Sequence, residues 1–329
     1  MEEKGGEEKE GKEERAESQS QTNSQASSSA QLNPAQDKDD LVYHVKWVDG
    51  SGGHKTAVVT QNENGPCPLL AIANILLARG QIELPPDAGV VTSSGLLQRI
   101  ADCILRLGPQ KLEGHLRSDY EANVSEAVGL LHSLTTGIDV NVKFSGVHEF
   151  EYTKECIIFD LLGIPLYHGW IIDPEADAEV AKLIGLRSYN QLVEHVVEQS
   201  HSKDEGEKAQ AELIQDWLRS NASQLTYHGI ILLHSTLKDG ELAVLFRNNH
   251  FSTLLKNRDE LFTLVTDQGF LEEPRVVWET LASVDGGDSH FVDAAFHSFP
   301  PAAPLNPPST LPLPTDAKPL DRQRQIQSE

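Results

Sequence analysis

The sequence contains little cysteine. Its three cysteines, Cys67, Cys103 and Cys156, are an odd number at wide spacing, which is unlike a disulfide framework or a zinc site. We therefore expect a reducing compartment, the cytoplasm or the nucleus, and neither a metal nor another cofactor. Cys103 and Cys156 fall within apolar segments, where a cysteine usually serves as a small core residue.

Long apolar runs are also missing. No stretch of about 18 apolar residues occurs, so the sequence predicts no transmembrane helix. The N-terminus, with Glu2, Glu3, Glu7 and Glu8, lacks the basic and apolar character of a secretory signal peptide. We therefore expect no membrane partner.

Positive charge is scarce. The chain has 27 Lys and Arg residues against 50 Asp and Glu residues, which gives a net charge of −23. Nucleic-acid binding needs clustered Lys and Arg for phosphate contacts, so the composition argues against it. A basic protein partner would suit this charge, and so would a simple requirement for solubility.

Composition divides the 329 residues into three parts. Residues 1–40 hold eleven acidic and five basic side chains and no aromatic residue, a composition typical of disorder. Residues 300–329 are rich in proline, which favours extended conformations over packed ones. We therefore predict a disordered acidic tail at 1–40, a single folded domain at 41–299 and a flexible proline-rich tail at 300–329.

The apolar pattern of the central part predicts an α+β fold, because helices come first and a series of short antiparallel strands follows. Residues 156–162 form a continuous apolar run that is typical of a strand buried on both faces. Ser93 or Ser94 is predicted to cap the second helix. The predicted helices are 66–79, 93–105, 119–134, 189–199, 207–220 and 223–233, and the predicted strands are 42–48, 57–60, 140–144, 156–162, 241–247, 251–256 and 260–266.

One cysteine stands where a nucleophile is expected. The segment Gln61-Asn-Glu-Asn-Gly-Pro-Cys67-Pro-Leu-Leu70 leads into a strongly apolar helical pattern, which Gly80 can end. A thiol attacks as thiolate, and a helix N-terminus stabilises a thiolate through unpaired backbone N–H groups and a partial positive charge. We therefore interpret Cys67 as a candidate nucleophile.

A cysteine nucleophile needs a base, and the chain has thirteen histidines. His250 is the best placed, because it follows a short polar turn at the start of a predicted strand and so combines exposure with a rigid platform. Its rivals, His168 and His228, lie beside glycine turns but do not begin a strand. The sequence therefore indicates a Cys67–His250 pair.

Several further segments resemble one known family, the MINDY deubiquitinases, and they follow one another in order across about 41–300. They are Thr60-Gln-Asn-Glu-Asn-Gly-Pro-Cys-Pro-Leu-Leu-Ala-Ile72, Phe150-Glu-Tyr-Thr153, Phe159-Asp-Leu-Leu162, Pro165-Leu-Tyr-His-Gly-Trp170, Tyr189-Asn-Gln-Leu-Val193, Gln224-Leu-Thr-Tyr-His-Gly229, Phe246-Arg-Asn-Asn-His-Phe-Ser-Thr253 and Leu264-Val-Thr-Asp-Gln-Gly-Phe270. The resemblance covers the whole predicted domain.

The resemblance implies a papain-like cysteine protease fold, in which a helical part carrying the nucleophile packs on an antiparallel sheet carrying the base. It implies a deubiquitinase that trims lysine-48-linked polyubiquitin, with ubiquitin and its chains as partners. Cys67 takes the place of the family's nucleophile and His250 that of its general base. Gln61 takes the place of its oxyanion-hole glutamine, and papain-like sites do position a glutamine just before the cysteine.

A third residue normally orients the histidine. Asp267, near the end of the last predicted strand in Thr266-Asp-Gln-Gly269, is the candidate. Asn248 and Ser252 are alternatives, and an Asp-Gln-Gly turn is also a common way to end a strand.

Two prolines, Pro66 and Pro68, flank the nucleophile and restrict the loop around it. This suggests the hypothesis that substrate must rearrange the loop before the site is competent. A catalytically silent or autoinhibited ubiquitin-binding module is the alternative to an active hydrolase. An acyltransferase that uses the same thiolate is a third possibility.

Overall fold

The computed structural model describes residues 40–50, 54–62, 66–108 and 115–299. The predicted tails therefore lie outside the described residues, apart from Asp40. The carboxylate of Asp40 accepts hydrogen bonds from the hydroxyls of Ser93 and Ser94, each at 2.6 Å. Asp40 thus joins the start of the folded part to the start of the second helix.

The described residues form eight α-helices and eleven strands, an α+β composition as predicted. The helices are α1 (Cys67–Ala78), α2 (Ser93–Leu107), α3 (His115–Leu130), α4 (Cys156–Leu162), α5 (Ala178–Ile184), α6 (Tyr189–Ser200), α7 (Glu205–Ser220) and α8 (Tyr227–Thr236). The strands are β1 (Val42–Asp49), β2 (Lys55–Val59), β3 (Val90–Thr92), β4 (Asn141–Val142), β5 (Phe150–Glu151), β6 (Leu166–His168), β7 (Leu242–Arg247), β8 (His250–Asn257), β9 (Glu260–Leu264), β10 (Trp278–Thr280) and β11 (Phe291–Val292). No helix in the described part of the chain is long and apolar enough to cross a bilayer.

Helix α1 is the centre of the molecule. Every residue from Pro68 to Leu77 is buried, as expected of a helix that is apolar on all sides. Its one buried polar side chain, Asn74, accepts a hydrogen bond from the backbone N–H of Val59 at 2.7 Å and donates one to the carbonyl of the same residue at 3.0 Å. Asn74 therefore attaches α1 to the end of β2.

The largest sheet holds α1 from the other side. It has six strands in the order β11-β10-β9-β8-β7-β6. The hairpin series β7, β8 and β9 is antiparallel, as predicted, but β6 pairs with β7 in parallel, so the sheet is mixed rather than antiparallel. The hydroxyl of Thr253 in β8 donates to the carbonyl of Ala71 at 3.2 Å, which attaches α1 to this sheet.

The prediction of a strand at 156–162 is wrong, because these residues form helix α4. Ile158, Phe159 and Leu162 are buried on one side of α4. Their spacing is compatible with a helix, but a continuous apolar run is equally compatible with a buried strand. Gly163 ends the helix in the left-handed region at φ 58°, where glycine is the favoured residue. That glycine was the local signal for a helix, whereas the length of the run, seven residues, is typical of a strand.

The predicted N-cap of α2 is also wrong by one or two residues. Thr92 caps the helix, because its hydroxyl accepts a hydrogen bond from the N–H of Gly95 at 3.1 Å. The hydroxyls of Ser93 and Ser94 bond to Asp40 instead. Because Asp40 binds the hydroxyls of Ser93 and Ser94, the hydroxyl of Thr92 is the one that caps α2.

A contact between two glycines sets the position of α8. A Cβ atom added to Gly229 would lie 1.9 Å from the carbonyl oxygen of Gly169, the residue that follows β6. Thr226 supports the contact, since its hydroxyl donates to the carbonyl of Ile171 at 2.7 Å and accepts from the N–H of Gly229 at 2.9 Å. The helix can approach the sheet this closely only because Gly229 has no side chain.

We expect Gly229→Ala to destabilise the protein by about 1–3 kcal/mol, because the new methyl group must displace backbone. Gly129→Ala in α3 is the matched control, since nothing lies within 4 Å of its added Cβ. It should be neutral or stabilise by up to about 1 kcal/mol, as alanine favours a helix over glycine. Urea unfolding of both variants measures the difference, and equal stabilities would contradict the close contact.

Candidate active site

Cys67 is the first residue of α1. The residue before it, Pro66, has extended backbone angles, and no side chain caps the helix. Because prolines have no N–H, only Cys67 and Leu69 can present backbone donors in the first three positions of the helix. The thiol itself is half-buried. The predicted position of Cys67 at a helix N-terminus is therefore confirmed.

His250 is the first residue of β8, as predicted, and follows a two-residue hairpin turn. Asn248 and Asn249 form the turn with φ of 51° and 56°, and Arg247 pairs with His250 across it. Positive φ at both central positions is the geometry of a type I′ turn, which suits the right-handed twist of the strands and favours asparagine.

The structure brings this turn to the thiol. The Sγ atom of Cys67 lies 3.9 Å from the carbonyl oxygen of Asn249, and a hydrogen bond from the backbone N–H of Phe251 lowers the pKa of the thiol. The residue before His250 thus contacts the thiol of Cys67 across 182 positions of sequence. Within the described ranges, no hydrogen bond joins the thiol to the imidazole.

The two groups are both biased towards their neutral forms. Burial raises the pKa of Cys67, against a smaller lowering by hydrogen bonds from the N–H groups of Phe251 and of Cys67 itself. Burial also lowers the pKa of His250, although the residue as a whole is exposed. A thiolate beside an imidazolium would shift both pKa values in the opposite directions. Both pKa shifts therefore favour the uncharged thiol and the uncharged imidazole.

The backbone of Gln61 is fixed beside this pair. Its N–H donates to the carbonyl of Thr266 at 2.6 Å, and its carbonyl accepts from the N–H of Gln268 at 3.2 Å. Gln61 also lies only two residues after Val59, which Asn74 attaches to α1. One short segment thereby positions Gln61 relative to both the helix and the sheet.

An open groove separates His250 from Asp267. The β8–β9 ladder ends at the pair Leu254–Thr263, and its register, if continued, would bring Asp267 opposite His250. Instead, Asp267 forms a parallel bridge with Gln61. The resulting groove of about 670 Å³ is lined by Gln61, Asn62, His250, Thr266, Asp267, Gln268 and Gly269.

Three of the four predicted site residues therefore line one groove, and the fourth, Cys67, contacts the turn beside it. The carboxylate of Asp267 accepts a hydrogen bond from the N–H of Gly269 at 2.7 Å and caps a short 3-10 helix, Gln268–Phe270. Among the residues described, no hydrogen bond joins the ring of His250 to Asp267, Asn248 or Ser252. The residue that orients the base stays a prediction.

The rival histidines have other surroundings. His168 is buried against the carbonyl of Glu149 and the N–H of Trp170, and burial lowers its pKa to about 4. His228 lies on α8, 3.8 Å from Asp173. Neither histidine lines the groove.

Sequence reasoning missed Lys46, which supports the wall of the groove. Lys46 is buried in β1, and its ammonium group donates to the carbonyls of Phe270, Glu273 and Val276 at 2.6–2.8 Å. These carbonyls follow directly on the Asp267 turn. A lysine is seldom fully buried, and nothing in its local sequence distinguishes it from an exposed residue.

Comparison with known proteins agrees with the geometry. Residues 41–296 match the family model of the MINDY deubiquitinases. The chain is 47% identical over 283 residues to "Ubiquitin carboxyl-terminal hydrolase MINDY-1" from Danio rerio, covering 85% of this chain and 54% of that protein. It is 49% identical over 263 residues to "Ubiquitin carboxyl-terminal hydrolase MINDY-2" from Homo sapiens, covering 80% of this chain and 42% of that protein.

The chain thus spans about half the length of the curated relatives it matches. The matched region nevertheless contains all the elements that form the groove, from β1 to β11. On the extent of that match, the chain belongs to the MINDY deubiquitinase family.

Proposed function

We propose that the chain is a cysteine-type deubiquitinase with a papain-like catalytic domain. Its substrate is the isopeptide bond at the C-terminus of ubiquitin, in lysine-48-linked chains. The observation that carries the proposal is that Gln61 and His250, from distant parts of the chain, line one groove, and that Cys67 contacts the turn beside His250, in a member of this family.

In the proposed mechanism, His250 takes the proton of Cys67, and the thiolate attacks the isopeptide carbonyl. The side-chain amide of Gln61 and the backbone N–H of Cys67 donate hydrogen bonds to the oxyanion that forms. His250 then gives its proton to the departing lysine amine, which leaves ubiquitin bound to Cys67 as a thioester. Water, deprotonated by His250, hydrolyses the thioester and restores the thiol.

Formation of the Cys67–His250 ion pair is the first step of this mechanism. Burial favours the uncharged thiol and the uncharged imidazole, so we infer that a change in their surroundings precedes that step. We propose that bound ubiquitin supplies that change. The same observation is what favours the second candidate, a catalytically silent or autoinhibited ubiquitin-binding module.

A ubiquitin probe with a C-terminal electrophile separates the two candidates. We expect it to label the wild-type chain at Cys67 and to leave Cys67→Ala unlabelled, as intact-mass measurement would show. Cys156→Ala is the control, since Cys156 lies in α4, and should be labelled like the wild type. Binding of ubiquitin without labelling would support the silent module.

Gln61→Ala should lower kcat for cleavage of diubiquitin by about 10²–10³-fold, because an oxyanion-hole donor acts in the transition state. The KM should change little, since the substrate carbonyl needs this donor less than the oxyanion does. Gln98→Ala on the exposed side of α2 serves as the control and should match the wild type. A large rise in KM with unchanged kcat would make Gln61 a binding residue instead.

Pro68→Ala tests the restriction imposed by the two prolines. The substitution frees the backbone next to Cys67 and adds an N–H group to the first turn of α1. We expect faster diubiquitin turnover and faster alkylation of Cys67 by iodoacetamide at neutral pH. The control is Pro85→Ala in an exposed loop, and unchanged turnover in Pro68→Ala would refute the hypothesis.

A further inference from the structure

Three residues in or beside the β7–β8 turn share an uncommon backbone conformation. Asn248, Asn249 and Gln224 have φ of 51°, 56° and 52°. Asparagine adopts the left-handed region comparatively often, whereas glutamine has no such preference. Strain of this kind costs about 1–3 kcal/mol and concentrates where function requires it. The left-handed conformation of Gln224 therefore needs an explanation, whereas that of the two asparagines does not.

The side chain of Gln224 supplies one. Its Oε1 atom accepts a hydrogen bond from the backbone N–H of Asn248 at 2.9 Å. Asn248 is the first residue of the β7–β8 turn, so the glutamine holds the tip of this hairpin. Hairpin tips are otherwise the most mobile part of such a motif.

The segment that carries Gln224 is itself fixed. The N–H of Gln224 donates to the carbonyl of Asn221 at 3.0 Å, and the next residue, Leu225, is buried and bridges to Gly169. Arg247 adds a second link, because its Nε donates to the carbonyl of Ser223 at 2.9 Å. Gln224 therefore connects the turn to a part of the structure that is anchored independently.

The far side of the same turn contacts the thiol. The carbonyl of Asn249 lies 3.9 Å from the Sγ atom of Cys67, and a hydrogen bond from the N–H of Phe251 lowers the pKa of the same thiol. A displacement of the turn would move both groups, and His250 between them. Misplacement of a catalytic group by about 1 Å can cost 10²-fold in rate.

We propose that Gln224 is a positioning residue for the active site, which holds the Asn248–Asn249 turn so that His250 and the N–H of Phe251 face Cys67. The inference deepens the proposed function and rests on it for its role in turnover. Position 224 needs a side chain about as long as glutamine that ends in a hydrogen-bond acceptor.

The acceptor requirement defines a pair of variants. Gln224→Leu removes the acceptor at nearly constant volume, whereas Gln224→Glu retains an oxygen at the same place. We expect Gln224→Leu to lower kcat for diubiquitin cleavage by roughly tenfold, with KM within about twofold of the wild type. Gln224→Glu should keep most of the wild-type kcat.

A second readout needs no ubiquitin. Alkylation of Cys67 by iodoacetamide, followed by mass spectrometry, should be slower in Gln224→Leu than in the wild type or Gln224→Glu, because the thiolate loses the N–H of Phe251. Cys156, which is half-buried in α4, is the internal control and should react equally in all three proteins. Thermal unfolding checks that each variant is folded.

Wild-type kcat and alkylation in Gln224→Leu would overturn the inference. So would equal losses in both variants together with a lower Tm, because Gln224 would then serve stability alone. If the wild-type chain cleaves no ubiquitin substrate, the proposed function fails, and the alkylation rates still decide whether Gln224 positions the thiol's surroundings.

Discussion

The structure depends on how a buried apolar helix is attached to its neighbours. Helix α1 has no exposed polar face that could fix its rotation, and hydrophobic burial is not directional. Two hydrogen-bonded contacts supply the direction: Asn74 binds both backbone groups of Val59, and Thr253 binds the carbonyl of Ala71. Because a buried amide without partners would cost about 1–3 kcal/mol, Asn74 fits only one rotation of α1. That rotation directs Cys67 towards the β7–β8 turn.

The surroundings of the thiol combine two opposing influences. Proximity to the helix N-terminus and to the N–H of Phe251 stabilises a thiolate, whereas burial in apolar surroundings opposes it, and burial dominates. The imidazole is subject to the same penalty. Because each charge would stabilise the other, the two groups are expected to change protonation state together.

The local sequence was sufficient to predict elements that depend mainly on contacts between neighbouring residues. The apolar helix after Cys67 and the three hairpin strands follow from periodicity and turn residues, and the Asn248–Asn249 turn explains why His250 begins β8. Periodicity could not separate a short helix from a strand at Cys156–Leu162. Lys46, Asn74 and Gln224 depend on partners 15 to 230 positions away, so no local pattern could have identified them. The resemblance to the family supplied Gln61, whose position depends on a bridge to Asp267.

The separation of the site along the chain also orders its formation in time. Cys67 and its contact at Asn249 are 182 residues apart, and a ribosome adds about 5–20 residues per second. Helix α1 therefore leaves the ribosome roughly 10–35 s before the β7–β8 turn. During that interval the nascent chain carries Cys67 without His250 and without the sheet that packs on α1. A fragment that ends before β8 therefore lacks the proposed catalytic pair, however well its helices fold.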